Sequence, residues 1–110
     1  MFNILPNLIK IIKKRKKIKS NNSYTYFLFK RGKMYILKKL KEEALELIFA
    51  FKGNNKKNII HESADLIYHF LVMLEIKNIK MIDILKELQK RQKISGIQEK
   101  INRKKNVRQK

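Results

Sequence analysis

The residues of this chain best suited to chemistry are its acids, and they are few: 9 Asp and Glu against 28 Lys and Arg. Five of the nine fall between Glu42 and Asp65, and four of these form two pairs, Glu43 with Glu46 and Glu62 with Asp65. Three-residue spacing puts each pair on one helix face, a turn apart. The fifteen residues between the pairs can hold the rest of one helix, a turn at Gly53-Asn54-Asn55 and the first turn of the next helix. If the two helices run antiparallel, all four carboxylates converge. Converging carboxylates repel one another unless a cation sits among them, and oxygen-only donors suit a hard divalent ion, Mg²⁺ or Mn²⁺, rather than zinc. Such an ion bridges phosphate oxygens, offsets charge developing on a leaving pyrophosphate and acidifies a bound water.

Either pair alone reads more readily as solvated surface charge or as an ion pair with Lys39, four residues before Glu43. Two matched pairs across one hairpin favour the metal. On a helical wheel Glu43 and Glu46 flank the apolar stripe with Lys39 beside them, while Glu42 points further toward solvent. On the second helix Glu62, Asp65 and His69 share a narrow polar face. His69 could be a ligand or a proton shuttle, but a histidine on a packed helix is more often a hydrogen-bonded structural residue. His61 is assigned no partner.

The elements that must hold these groups are helical. Three Gly and one Pro punctuate 110 residues, and strand-like alternation is nowhere sustained. A first helix is predicted over residues 4 to 17, with Pro6 in its first turn, where a missing N–H costs nothing. Ser23 can cap a short helix through Lys30, closed by Gly32. The next helix, Met34 to Lys52, carries Ile36, Leu37, Leu40, Ala44, Leu47, Ile48 and Phe51 on one stripe. Another, Asn58 to Ile76, is apolar over about half its circumference, with Ile60, Ala64, Ile67, Leu71 and Leu74 on one face. A helix this apolar must bury two sides, and so short a chain has few internal partners, so self-association is expected. A last helix, Ile82 to Gln92, precedes Ser95-Gly96 and a basic end. The prediction is an all-α bundle of four to five helices completed by dimerisation, one domain over residues 1–103 and a disordered basic tail over 104–110.

Composition excludes several functions. Without cysteine there is no disulfide, thiolate metal site or Cys nucleophile, and a reducing compartment is expected. The charge-free stretches inside the domain, Ser20 to Phe29 and the more apolar Leu66 to Leu74, are too short to span a membrane. The uncharged residues Met1 to Ile9 precede the basic run, the reverse of a secretory signal, which points to the cytoplasm. Neither a glycine-rich phosphate loop nor a Ser/His/Asp arrangement is present. The formal charge of +19 invites a polyanionic partner, but Lys, Ile and Asn are enriched together, at 23, 17 and 10 residues, which argues for codon bias over selection for charge.

Around the carboxylates the chain resembles a known family. E-x-x-E, a spacer and E-x-x-D, here Glu43, Glu46, Glu62 and Asp65, is similar to the all-α nucleoside triphosphate pyrophosphohydrolases of the MazG-like superfamily. Ser23-Tyr24-Thr25, the following Gly32, KLKEEALE from Lys39 to Glu46, ESADLIYHFLV from Glu62 to Val72, and SGIQEKINR from Ser95 to Arg103 narrow the resemblance to the phosphoribosyl-ATP pyrophosphatases. It implies Mg²⁺-dependent hydrolysis of phosphoribosyl-ATP to phosphoribosyl-AMP and pyrophosphate, in histidine biosynthesis, by a homodimer. By position, Glu43, Glu46, Glu62 and Asp65 would hold the metal, Lys30, Arg31 and Lys39 would approach the phosphates, and Ser23, Tyr24 and Thr25 would line the substrate pocket. Glu99, Lys100 and Arg103 match the pattern without an assigned role. The family often has Gly where this chain has Lys41, a substitution that favours the helix. The cyclohydrolase sometimes fused to this activity needs Cys ligands, so a stand-alone form is expected.

Three other readings compete. One is a pyrophosphohydrolase acting on ordinary nucleoside triphosphates through the same carboxylates. Another is a small basic nucleic-acid-binding protein, motivated by Lys10 to Lys19 with Tyr24, Tyr26, Phe27 and Phe29, whose binding would be strongly salt-dependent. The last is an N-terminal membrane-surface helix over Ile4 to Lys17, which explains nothing beyond residue 20.

Overall fold

The computed structural model describes residues 1–93, 100–101 and 103–104, and among them forms five α-helices and no strand. These are α1 (Ile4–Lys17), α2 (Tyr24–Arg31), α3 (Lys33–Lys52), α4 (Lys56–Ile76) and α5 (Met81–Gln92). The fold has two units, Met1–Asn78 and Ile79–Lys110. Ser95-Gly96, most of the SGIQEKINR segment and nearly all of the expected basic tail lie outside the described residues.

Local chemistry sets the boundaries. The Ser23 hydroxyl accepts from the Tyr26 N–H at 3.1 Å and starts α2 as expected. Gly32, at φ 96°, ends α2 and turns directly into α3, a backbone conformation that a side chain would strain. α4 begins two residues earlier than its apolar pattern suggests, because Asn55 caps it by accepting from the Asn58 N–H at 3.2 Å. The left-handed residue of the α3–α4 turn is Asn54, at φ 59°, whereas Gly53 stays right-handed. With only three residues between them, α3 and α4 fold back as an antiparallel hairpin, the main packing unit of the first unit.

The core of that unit is small: Ile12 from α1, Leu28 from α2, Ile36 from α3, and Leu71, Val72 and Leu74 from α4. α1 is tied to the C-terminal end of α4 by Lys13 and Lys16, whose Nζ atoms lie 3.8 and 3.9 Å from the carboxylate of the buried Glu75. Lys16 also donates to the Glu75 carbonyl at 3.3 Å, so a cation meets the negative end of the α4 dipole. Thr25, fully buried, shares a hydrogen bond with the Tyr68 hydroxyl and docks α2 on α4. The N-terminal helix of the membrane-surface reading puts Ile12 in the core and half-buries Leu5, Leu8 and Ile9, and no described helix is long and apolar enough to cross a membrane.

The apolar stripes of the hairpin are only partly covered. α3 packs on α4 through the flank bearing Ile36 and Glu43, which leaves Leu37, Ile48 and Phe51 exposed although they belong to the predicted core stripe. On α4 the same face is buried at Leu71 and Leu74, where α1 reaches it, and open at Ile60 and Ile67, where nothing in the first unit does.

Candidate active site

The hairpin brings the two acidic pairs together. One carboxylate oxygen each from Glu43, Glu46 and Glu62 lie within 4.8 Å of one another, and so do ligand atoms of His61, Glu62 and Asp65. Glu62 belongs to both sets and joins them into one cluster across α3 and α4. Glu43 is buried and Glu46 exposed, which gives the cluster a closed floor and an open side.

Two oxygens in the cluster, Glu43 Oε2 and Glu62 Oε2, are shielded from solvent and accept no hydrogen bond. A buried carboxylate oxygen without a donor costs free energy unless something positive completes it, so the donor set fits a hard divalent cation. The carboxyl of Glu62 is pushed above its ordinary value, first by desolvation, then by the facing Glu46 and by Asp65, with His61 acting in the opposite sense. A carboxyl raised in the fold favours the protonated form. Its contribution to stability is therefore full below the unfolded value near 4.5 and is lost as pH rises through the higher folded value. The metal-free chain is expected to lose melting temperature relative to Glu62→Gln, which lacks this titration, as pH rises above the unfolded value of 4.5. Parallel melting curves of the two proteins would show it, and a constant difference above that pH would exclude it.

Lys39 stands at the rim, with Nζ 3.2 Å from Glu42 and 3.8 Å from Glu43. Its pKa is raised, chiefly by the hydrogen bond to Glu42, so it holds a positive charge beside the carboxylates. Glu42 thus serves Lys39, in keeping with its more outward place on the wheel. Arg31 lies over the Tyr35 ring, 4.4 Å from its centroid, and over the Phe27 ring, 5.8 Å from its centroid. Lys30 is turned elsewhere: with Lys16, Tyr26 and Phe29 it lines a cavity of about 400 Å³ to which none of the four carboxylates contributes.

The Ser23-Tyr24-Thr25 segment divides its labour. Ser23 caps α2 and Thr25 bonds Tyr68, while Tyr24 remains 45% exposed beside Lys39 and Glu43. The Tyr24 phenol is raised, mainly by burial of part of the ring, with Lys39 opposing. Its hydroxyl meets His69 Nε2 at 2.9 Å, and His69 Nδ1 lies 2.7 Å from the Asp65 carbonyl. The structure thus places His69 as the hydrogen-bonded packing residue its position suggested. Tyr24 also stacks against Phe27 and Tyr68, with centroids 6.3 and 6.4 Å apart, so the aromatics of the nucleic-acid reading are partly engaged in packing.

Sequence reasoning missed His61, whose Nε2 lies 3.4 Å from Asp65 Oδ2. The signal was present, since the two residues are four apart on one helix.

An all-α hairpin whose paired carboxylates converge around unpartnered oxygens, with a lysine at the rim, defines the class of the helical nucleoside triphosphate pyrophosphohydrolases. Within that class the chain belongs to the phosphoribosyl-ATP pyrophosphohydrolase family, whose model matches residues 5–92. It is 51% identical over 88 residues to the phosphoribosyl-ATP pyrophosphatase of Clostridium acetobutylicum, covering 80% of each chain. It is 44% identical over 103 residues to that of Vesicomyosocius okutanii, covering 94% of this chain and 98% of the relative. It is also 47% identical over 90 residues to the histidine biosynthesis bifunctional protein HisIE of Caldanaerobacter subterraneus, covering 82% of this chain and 44% of that longer one.

Proposed function

We propose that this chain hydrolyses phosphoribosyl-ATP to phosphoribosyl-AMP and pyrophosphate, with Mg²⁺ held by Glu43, Glu46, Glu62 and Asp65. The observation that carries the reading is the convergence of Glu43, Glu46 and Glu62 with two shielded, unpartnered oxygens among them. A bound Mg²⁺ supplies charge neutralisation of the phosphate oxygens and a more acidic water. The chain supplies the rest. Glu43 gives the cluster its buried floor, and Glu62 bridges the two helices. Lys39, kept protonated by Glu42, offers a positive charge to the phosphates at the rim, and Arg31 offers a second from the aromatic shelf of Phe27 and Tyr35. Tyr24 faces the same space from α2.

The reading includes a homodimer. Leu37, Ile48 and Phe51 of α3 and Ile60 and Ile67 of α4 are exposed, and wheel geometry sets them on the same side of the antiparallel hairpin. An apolar face of this extent supports burial against a second copy of the chain. The absence of cysteine agrees with a reducing, cytoplasmic location.

The test is pyrophosphate release by the purified chain with Mg²⁺, comparing phosphoribosyl-ATP with ATP and the deoxynucleotides. Strong preference for phosphoribosyl-ATP is the expected outcome. Release from ordinary nucleotides alone would keep the carboxylate site and overturn the substrate. Salt-sensitive binding to random duplex without release from any of them would return the basic-binding reading.

A further inference from the structure

The polarity of the Tyr24–His69 pair assigns a chemistry to the Tyr24 oxygen that the proposed function leaves open. A backbone carbonyl can only accept, so His69 Nδ1, 2.7 Å from the Asp65 carbonyl, must carry a proton. In the neutral imidazole Nε2 is then the bare nitrogen, and it can only accept. The Tyr24 hydroxyl, 2.9 Å away, must donate its one hydrogen to it. His69 has little freedom to do otherwise. It is 4% exposed, and the rings of Tyr24 and Tyr68 meet it edge-on at 5.8 and 5.6 Å.

What remains on the Tyr24 oxygen is lone pairs. Lys39, the cation beside it, is already paired with Glu42 and Glu43. A phosphate oxygen is itself an acceptor and would be repelled by an oxygen in this state. We therefore propose that His69 is a positioning residue that fixes Tyr24 as an acceptor, and that Tyr24 receives a hydrogen bond from an O–H or N–H donor on the nucleoside part of the substrate. Lys39 and Arg31 then read the phosphates, and Tyr24 reads a ribose hydroxyl or the exocyclic amine of the base. This inference rests on the pyrophosphohydrolase reading above.

The test is steady-state kinetics of the full chain with Mg²⁺ and phosphoribosyl-ATP, for Tyr24→Phe, His69→Asn, His69→Gln and the double variant Tyr24→Phe/His69→Asn. The Asn amide superposes on Nδ1 and keeps the bond to the Asp65 carbonyl while losing the acceptor for Tyr24. The Gln amide reaches the Nε2 position and restores that acceptor. Tyr24→Phe and His69→Asn are each expected to lower kcat/KM about tenfold, carried by KM. The double variant should lose no more than either single one, and His69→Gln should recover most of the loss. Mg²⁺ affinity by calorimetry should be unchanged in all of them, which separates this role from damage to Asp65. Deoxyribose analogues and an analogue with the amine replaced by oxygen identify the donor. The correct one loses about the same factor with the wild type and nothing further with Tyr24→Phe. Wild-type kinetics in Tyr24→Phe, or additive losses in the double variant, would overturn the proposal. If His69→Asn fails to fold, as circular dichroism would show, Tyr24→Phe with the analogues decides alone. Failure of the parent reading looks different: the wild type itself then releases no pyrophosphate from phosphoribosyl-ATP.

Discussion

Glu62→Gln is expected to reduce Mg²⁺-dependent pyrophosphate release by at least ~10³-fold, a loss of several kcal/mol of transition-state stabilisation, while leaving the helical circular dichroism nearly unchanged. Glu62 is the residue shared by both ligand sets, and its Oε2 is one of the two shielded oxygens without a partner. Gln preserves shape and volume, so the packing of α4 on α3 is kept. What changes is charge. The variant removes a group whose ionised form is opposed by desolvation, by Glu46 and by Asp65, so the metal-free fold is not weakened by its loss. Asp65→Asn, at the outer end of the cluster, should behave in the same direction. A second readout ties the effect to the ion rather than to the substrate. Mg²⁺ should raise the melting temperature of the wild type, because it binds the folded state alone, and should leave that of Glu62→Gln nearly unmoved. Unchanged turnover in both variants would refute the site.

The carboxylate cluster was legible in the sequence because its geometry is local twice over. Three-residue spacing fixes each pair on its helix, and a three-residue turn fixes the two helices antiparallel. The depth of Glu43 was not legible. On the wheel it lies beside the apolar stripe, and α4 happens to pack on that side, so a carboxylate is buried while Ile48 and Phe51 are left exposed. Which flank a second helix chooses is set by packing across the whole interface, and no repeat within α3 encodes it. The contacts that dock α2, Thr25 with Tyr68 and Tyr24 with His69, join residues 43 and 45 positions apart and leave no local trace. Capping residues, by contrast, act within one turn, and Ser23 was readable for that reason.

The exposed stripes lead to the second large effect. Ile67→Glu is expected to convert a dimer of twice 13.3 kDa into a monomer in sedimentation equilibrium. Ile67 is 50% exposed in the single chain, so a glutamate there can be solvated in the monomer and should not disturb its fold. In a dimer that buries this face the same carboxylate would be desolvated without a partner. An uncompensated buried charge costs about 3–5 kcal/mol, or roughly 10²–10⁴ in the dissociation constant, for each copy of the site. Two such sites meet or approach one another when identical faces pair about a two-fold axis. Ile48→Glu on α3 should act alike, since it lies on the same side of the hairpin. Phe2→Glu is the matched control: it adds the same charge at a residue 99% exposed and outside the hairpin, and should leave the mass unchanged. The melting temperature of the wild type should rise with protein concentration, and that of Ile67→Glu should not, because only association links stability to mass action. A wild type that sediments as a monomer, or an Ile67→Glu variant that remains a dimer, would show that this face is not where two chains meet. The carboxylate cluster forms entirely within one hairpin, so if the monomeric variant retains turnover, dimerisation serves stability. If it loses turnover while Mg²⁺ binding persists, the second chain completes the substrate pocket.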